Sequence, residues 1–99
     1  MEAIKIQKTV NTGMVRESSY GVIEKEQGVD LHITINIREG GNSGSFEMYD
    51  VETGGETWYA EGGLWFRDKV LVDYDGVFSL SNHIVEELKN LGFTGGDIF

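Results

Sequence analysis

The segment VDLHITINIRE, residues 29–39, constrains this chain more than any other: Leu31, Ile33, Ile35 and Ile37 alternate with His32, Thr34, Asn36 and Arg38. A period of two, with branched aliphatic residues on one side, belongs to a half-buried β-strand. A first strand is expected at Glu2–Val10, where Ile4 and Ile6 share a side with Lys8 while Lys5 and Gln7 face away. Residues 20–26 read as a further strand that leads through a Gln27-Gly28 turn into the Leu31 strand, with a short helix as the alternative.

Paired glycines punctuate the chain from residue 40 onward. Gly40-Gly41 and Ser43-Gly44 are expected to end one element, and Phe46, Met48 and Val51 to mark the next. Gly54-Gly55 turns into residues 56–61, Gly62-Gly63 into 64–67, and Asp68-Lys69 into 70–75. Glycine reaches positive φ without steric cost, so these pairs suit tight turns between short antiparallel strands.

One helix is expected near the C-terminus. Ser79 or Ser81 can cap it, and Ile84, Val85, Leu88 and Leu91 form a single apolar stripe. Gly92 stands where a left-handed stop belongs, with Phe93 placed to fold back onto Leu88. The fold class is therefore α+β: an antiparallel β-sheet meander with one C-terminal α-helix packed on one face. The chain has no proline, no low-complexity tract and no repeat of fixed period, so residues 1–99 read as a single domain. Its last residues, 93–99, either fold back on the sheet or fray.

Charge divides the chain unevenly. Residues 1–38 carry five acids and five bases, whereas residues 39–99 carry twelve acids against Arg67, Lys69 and Lys89, so the whole net charge of −9 lies in the later part. A one-signed field of this kind attracts basic surfaces and repels nucleic acid, which argues against direct contact with phosphates; excess Asp and Glu also serve solubility. The absence of cysteine removes disulfides and thiolate metal sites. Neither a signal-peptide apolar region nor a membrane-crossing run is visible, and a cytoplasmic location is expected.

Several segments invite a chemical reading. KVLVDYDGVFSLSNHIVEELKNLG resembles the first motif of the haloacid dehalogenase superfamily, a strand followed by D-x-D-G-V and a helix. That resemblance implies Asp73 as nucleophile and Asp75 as acid/base beside magnesium. The chemistry needs several parallel βα units converging on one point, and only one helix is expected here, so the segment reads as strand, turn and capped helix. Asp73 and Asp75 lack the D-x-D-x-D-G run of a calcium loop. His32 and His83 have no ligand spacing, and no catalytic triad signature is visible. No cofactor, no metal site and no catalytic residue are expected.

Aromatic residues crowd the acidic part: Tyr49, Trp58, Tyr59, Trp65, Phe66 and Tyr74. Most should fill the core. On alternating strands, however, one of Trp58 and Tyr59, and one of Trp65 and Phe66, must face outward among carboxylates, which is the composition of a protein-binding patch. The terminal Asp97-Ile98-Phe99, after the Gly95-Gly96 hinge, resembles the acidic, Phe-terminated tails of bacterial single-stranded-DNA-binding proteins.

From Phe46 to Leu91, FEMY and then DYDGVFSLSNHIVEEL resemble small phage-encoded anti-CRISPR proteins. The resemblance implies a non-enzymatic inhibitor that presents carboxylates where a defence complex expects nucleic-acid phosphates. The residues expected to meet such a partner are Glu47, Asp50, Glu52, Glu56, Tyr59, Glu61, Asp73 and Asp75. Carboxylates at alternate strand positions repeat at roughly 7 Å, which would suit mimicry of a phosphate row. The partner would be the basic surface of a nucleic-acid-binding protein, met by a monomer or a homodimer. The alternatives are a phage structural or assembly protein whose strands pair edge to edge and, last, a small phosphotransfer enzyme built on Asp73 and Asp75.

Overall fold

The structure is a computed structural model and describes residues 1–11, 16–17, 23–25, 30–51 and 58–99. Its strands are β1 (Ile4–Asn11), β2 (Arg16–Glu17), β3 (Ile23–Lys25), β4 (Asp30–Ile37), β5 (Ser43–Asp50), β6 (Trp58–Arg67) and β7 (Val70–Tyr74). Among the described residues, one helix, α1 (Asn82–Asn90), and a single 3-10 turn at Gly96–Ile98 complete it. Five strands form one sheet in the order β1-β4-β5-β6-β7, with every neighbouring pair antiparallel. The α+β meander with one helix is thus the observed fold.

The alternation read in residues 31–37 places the core. Leu31, Ile33, Ile35 and Ile37 are buried, and their partners in register are Val10, Lys8, Ile6 and Ile4 on β1 and Asp50, Met48, Phe46 and Gly44 on β5. Leu64 and Phe66 of β6 and Leu71 of β7 extend this face, and Ile84, Val85 and Leu88 of α1 cover it. Lys8, the one charged residue in β1's inward row, reaches the helix and donates to Glu87 Oε1 at 2.6 Å. No helix among the described residues is long and apolar enough to cross a membrane.

The helix begins at Ser81, whose hydroxyl accepts the His83 N–H at 3.2 Å. It ends in a full Schellman arrangement: Gly92 takes φ 93°, its N–H donates to Lys89 O, and the Phe93 N–H donates to Leu88 O, both at 3.0 Å. Phe93 is buried and tilts against Phe66 with ring centroids 4.4 Å apart. The residues beyond fold back: Thr94 O accepts the Leu71 N–H, and the Thr94 N–H donates to Lys69 O.

Three details differ from the sequence reading. Gly62-Gly63 is not a turn; it lies inside the ten-residue β6, so the two short strands expected there are one. A Cβ on Gly62 would land on the Asp75 carbonyl, so the bare backbone serves a close approach of the chain after β7. Ser43-Gly44 starts β5 rather than ending an element, since Gly44 sits against the Asn36 carbonyl of β4. Finally, β3 pairs with β2 in a separate ribbon, and β1 occupies the place beside β4. The Gln27-Gly28 and Gly54-Gly55 turns lie outside the described residues.

Candidate functional site

With the helix on one side, no described helix or strand covers the other face of the sheet, here called the open face. Strand parity assigns its residues in cross-strand rows. One row runs Lys5, Asn36, Ser45, Gly63; the next Gln7, Thr34, Glu47, Glu61; a third Thr9, His32, Tyr49. At the far end, Ser43 faces Trp65, and Trp65 faces Asp73. Glu47 and Glu61 stand directly opposite each other, and such partners have Cβ atoms about 5 Å apart.

Between these rows lies an open depression of about 570 Å³, bordered by Glu47, Glu61, Asp75, Trp65, Ser43 and Arg38. Its floor is low at Gly63, the glycine with open-face parity, which carries no side chain. The Trp65 ring folds along β6 over Gly63, close enough that a Cβ there would sit 2.8 Å from the ring edge, and 41% of the residue remains exposed. Arg38, the one base on the border among the described residues, donates to the Ser43 hydroxyl at 3.4 Å.

The expected contact residues separate into four groups. Glu47 and Glu61 are on the open face and share the depression. Asp75 lines it too, but its Oδ1 accepts the Gly63 N–H at 2.6 Å, while its own N–H donates to Gly63 O at 3.1 Å. Asp75 therefore prolongs the β6–β7 ladder with its side chain. Asp73, across from Trp65, accepts the Tyr74 N–H through Oδ1 at 2.9 Å. Asp50 does not belong to an exposed surface: it is 1% exposed, on the core side of β5 with Phe46 and Met48, and already engaged. Tyr59 lies in β6 with only its backbone described, and Glu52 and Glu56 fall outside the described residues.

Of the two aromatic pairs, Trp65 is the outward member of the second, with Phe66 buried. His32 and Tyr49, neighbours on the open face, have ring centroids 5.2 Å apart. Alternate carboxylates along a single described strand occur only as Asp73 and Asp75 at the end of β7, so the described open face carries no longer row at the 7 Å repeat. The D-x-D-G-V segment takes the form of strand end, turn and capped helix, with Gly76 at φ 84° against the Glu61 carbonyl. Among the described residues, no group of three or more His, Asp or Glu is arranged to hold a metal ion.

The class defined by these features is a small α+β domain that carries Glu47, Glu61 and Asp73 on the sheet face opposite its helix. Comparison with protein-family models, curated proteins and solved structures gives no match to this chain.

Proposed function

We propose that this chain is a non-enzymatic acidic binding protein that docks the open face of its sheet onto a basic surface of a nucleic-acid-binding protein. The reading extends to a phage inhibitor of a bacterial nucleic-acid-targeting defence complex that acts by occlusion. One observation carries it. Glu47 and Glu61 are paired directly across β5 and β6 beside Asp75 and the half-exposed Trp65. Like charges in direct register work against the sheet, so their placement is better explained by a cation supplied from outside. Trp65 supplies the aromatic contact around which such interfaces concentrate their binding energy.

The test is capture from a bacterial lysate at low and high NaCl, with the bound protein read by mass spectrometry. A basic partner retained at low salt, released at high salt and lost with the Glu47→Gln/Glu61→Gln variant supports the proposal. Capture indifferent to both salt and substitution would sink it.

A second reading, a structural or assembly protein that pairs edge to edge, draws on β1. It is an eight-residue edge strand with no further described strand beyond it. Light scattering separates the two, because the edge-pairing reading requires an oligomer at working concentrations.

A further inference from the structure

Phe78 presents its whole side chain to solvent, while Val77 and Leu80 of the same loop pack against the core. Between β7 and α1 the chain is held at four places. Asp75 is bonded to Gly63, and Gly76 lies against the Glu61 carbonyl. The Tyr74 hydroxyl donates to the Phe78 carbonyl at 3.2 Å, and Ser81 caps the helix. Val77 and Leu80, on either side, pack half-buried against the core. With Val77 and Leu80 packed against the core and its own carbonyl held by Tyr74, the Phe78 ring is directed outward by the loop that carries it. The core therefore makes no use of Phe78.

The flanking sequence carries charge of one sign. No lysine or arginine occurs between Lys69 and Lys89, while Asp73, Asp75 and Glu86 are exposed. We infer that Phe78 is a preformed anchor that inserts into an apolar pocket of a partner protein whose rim carries lysine or arginine side chains. A single aromatic held in its bound direction loses little freedom on docking, and a charged rim around an aromatic centre is the usual anatomy of a protein interface. The basic rim rests on the acidic-surface reading above; the anchor rests on the loop geometry. An anionic lipid surface is disfavoured by the same carboxylates.

The experiment is selection of a phage-displayed random peptide library on the immobilised protein, followed by fluorescence anisotropy of the enriched peptides. The expected winners combine Lys or Arg with a large apolar residue. They bind Phe78→Ala at least about tenfold more weakly than the unmodified protein, and Phe78→Leu nearly normally. Because position 78 is exposed, Phe78→Ala should keep its melting temperature within about 3 °C. Enriched basic peptides that bind Phe78→Ala within twofold of the unmodified protein overturn the anchor and leave the acidic-face reading standing. Peptides that need Phe78 but carry no Lys or Arg overturn the basic rim together with that reading. A selection that yields no Phe78-dependent peptide overturns the anchor. So does sedimentation showing that the protein self-associates through Phe78, since the occupant would then be a second copy.

Discussion

Glu47 and Glu61 face each other in direct register across β5 and β6, two carboxylates on the open side of a sheet whose other side is packed with aliphatic residues. The pair lies in one row with Gln7 and Thr34, so no lysine or arginine shares its row. The fold does not ask for charge at these positions. Uncharged polar residues would serve it as well, since Ser43 and Ser45 occupy the same face of β5.

Removing one of the two charges should therefore stabilise the protein. Glu47→Gln or Glu61→Gln is expected to raise unfolding free energy by about 0.2–1 kcal/mol at low ionic strength. The gain should shrink as salt shortens the Debye length to about 3 Å near 1 M. Urea melts at the two salt concentrations measure both effects. A loss of stability on substitution would mean that a favourable contact, not repulsion, dominates at the pair.

Gly62 and Gly63 should respond differently to alanine, although they are adjacent in sequence. A Cβ on Gly62 meets the backbone of Asp75, which cannot move without breaking the two bonds that tie Asp75 to Gly63. Gly62→Ala is expected to cost about 1–3 kcal/mol, the usual range for overpacking. A Cβ on Gly63 meets chiefly the far edge of the Trp65 ring, a side chain free to swing into solvent. Gly63→Ala should cost clearly less and should shift the tryptophan emission instead. Chemical denaturation followed by fluorescence separates the two, and equal losses would contradict the geometry.

These glycines also mark the limit of what the sequence could tell. A Gly-Gly pair has two physical meanings, a turn or a place where another backbone comes close, and nothing local in 62–63 distinguishes them. The contact that decides the matter comes from Asp75, beyond the next turn. Where the pattern is self-contained it was readable: the Leu31–Ile37 alternation, the Asp68-Lys69 turn with positive φ at both residues, and the Gly92 helix stop all stand as expected. Asp50 could have been placed correctly. It has the same parity as Phe46 and Met48, so the period of two sends it inward with them in spite of its charge. Asp73 and Asp75 were legible as acidic but not as acceptors of backbone N–H groups, because their donors are fixed by the strand end and its pairing. Nothing local in the sequence marks Phe78 as exposed, because apolar residues in a short loop are ordinarily absorbed by the core, as Val77 and Leu80 are.

The Lys8–Glu87 bridge joins the edge strand to the helix, yet it should contribute little. Its partners are unequally covered, with 44% of the Lys8 side chain exposed against 13% for Glu87. Ion pairs open to solvent are typically worth under about 1 kcal/mol. Lys8→Met keeps an apolar stem over the Ile4–Ile6 side of the sheet and should leave stability within about 1 kcal/mol of the original. A loss well beyond that, in a denaturant titration at moderate salt, would show that Glu87 is left with an uncompensated buried charge.

Phe93 is expected to be among the most sensitive positions in the chain. It is 1% exposed, its ring lies 4.4 Å from that of Phe66, and its N–H closes the helix by donating to Leu88 O. The next residue, Thr94, is hydrogen-bonded to Lys69 and Leu71, so Phe93 also fixes the returning segment against β7. Phe93→Ala should cost about 3–5 kcal/mol. Small domains have only about 5–15 kcal/mol in total, so the variant should melt far earlier or fail to fold at ordinary temperature. Phe99→Ala is the control: Phe99 is only half-buried, its ring lies against Gly95 with Lys89 Nζ 5.9 Å from the centroid, and its loss should leave the sheet and helix intact. Thermal melts by far-ultraviolet circular dichroism compare the two directly. If the two variants lost equal stability, the returning segment would be held at its end rather than at Phe93, and the helix stop would not be the point that secures it.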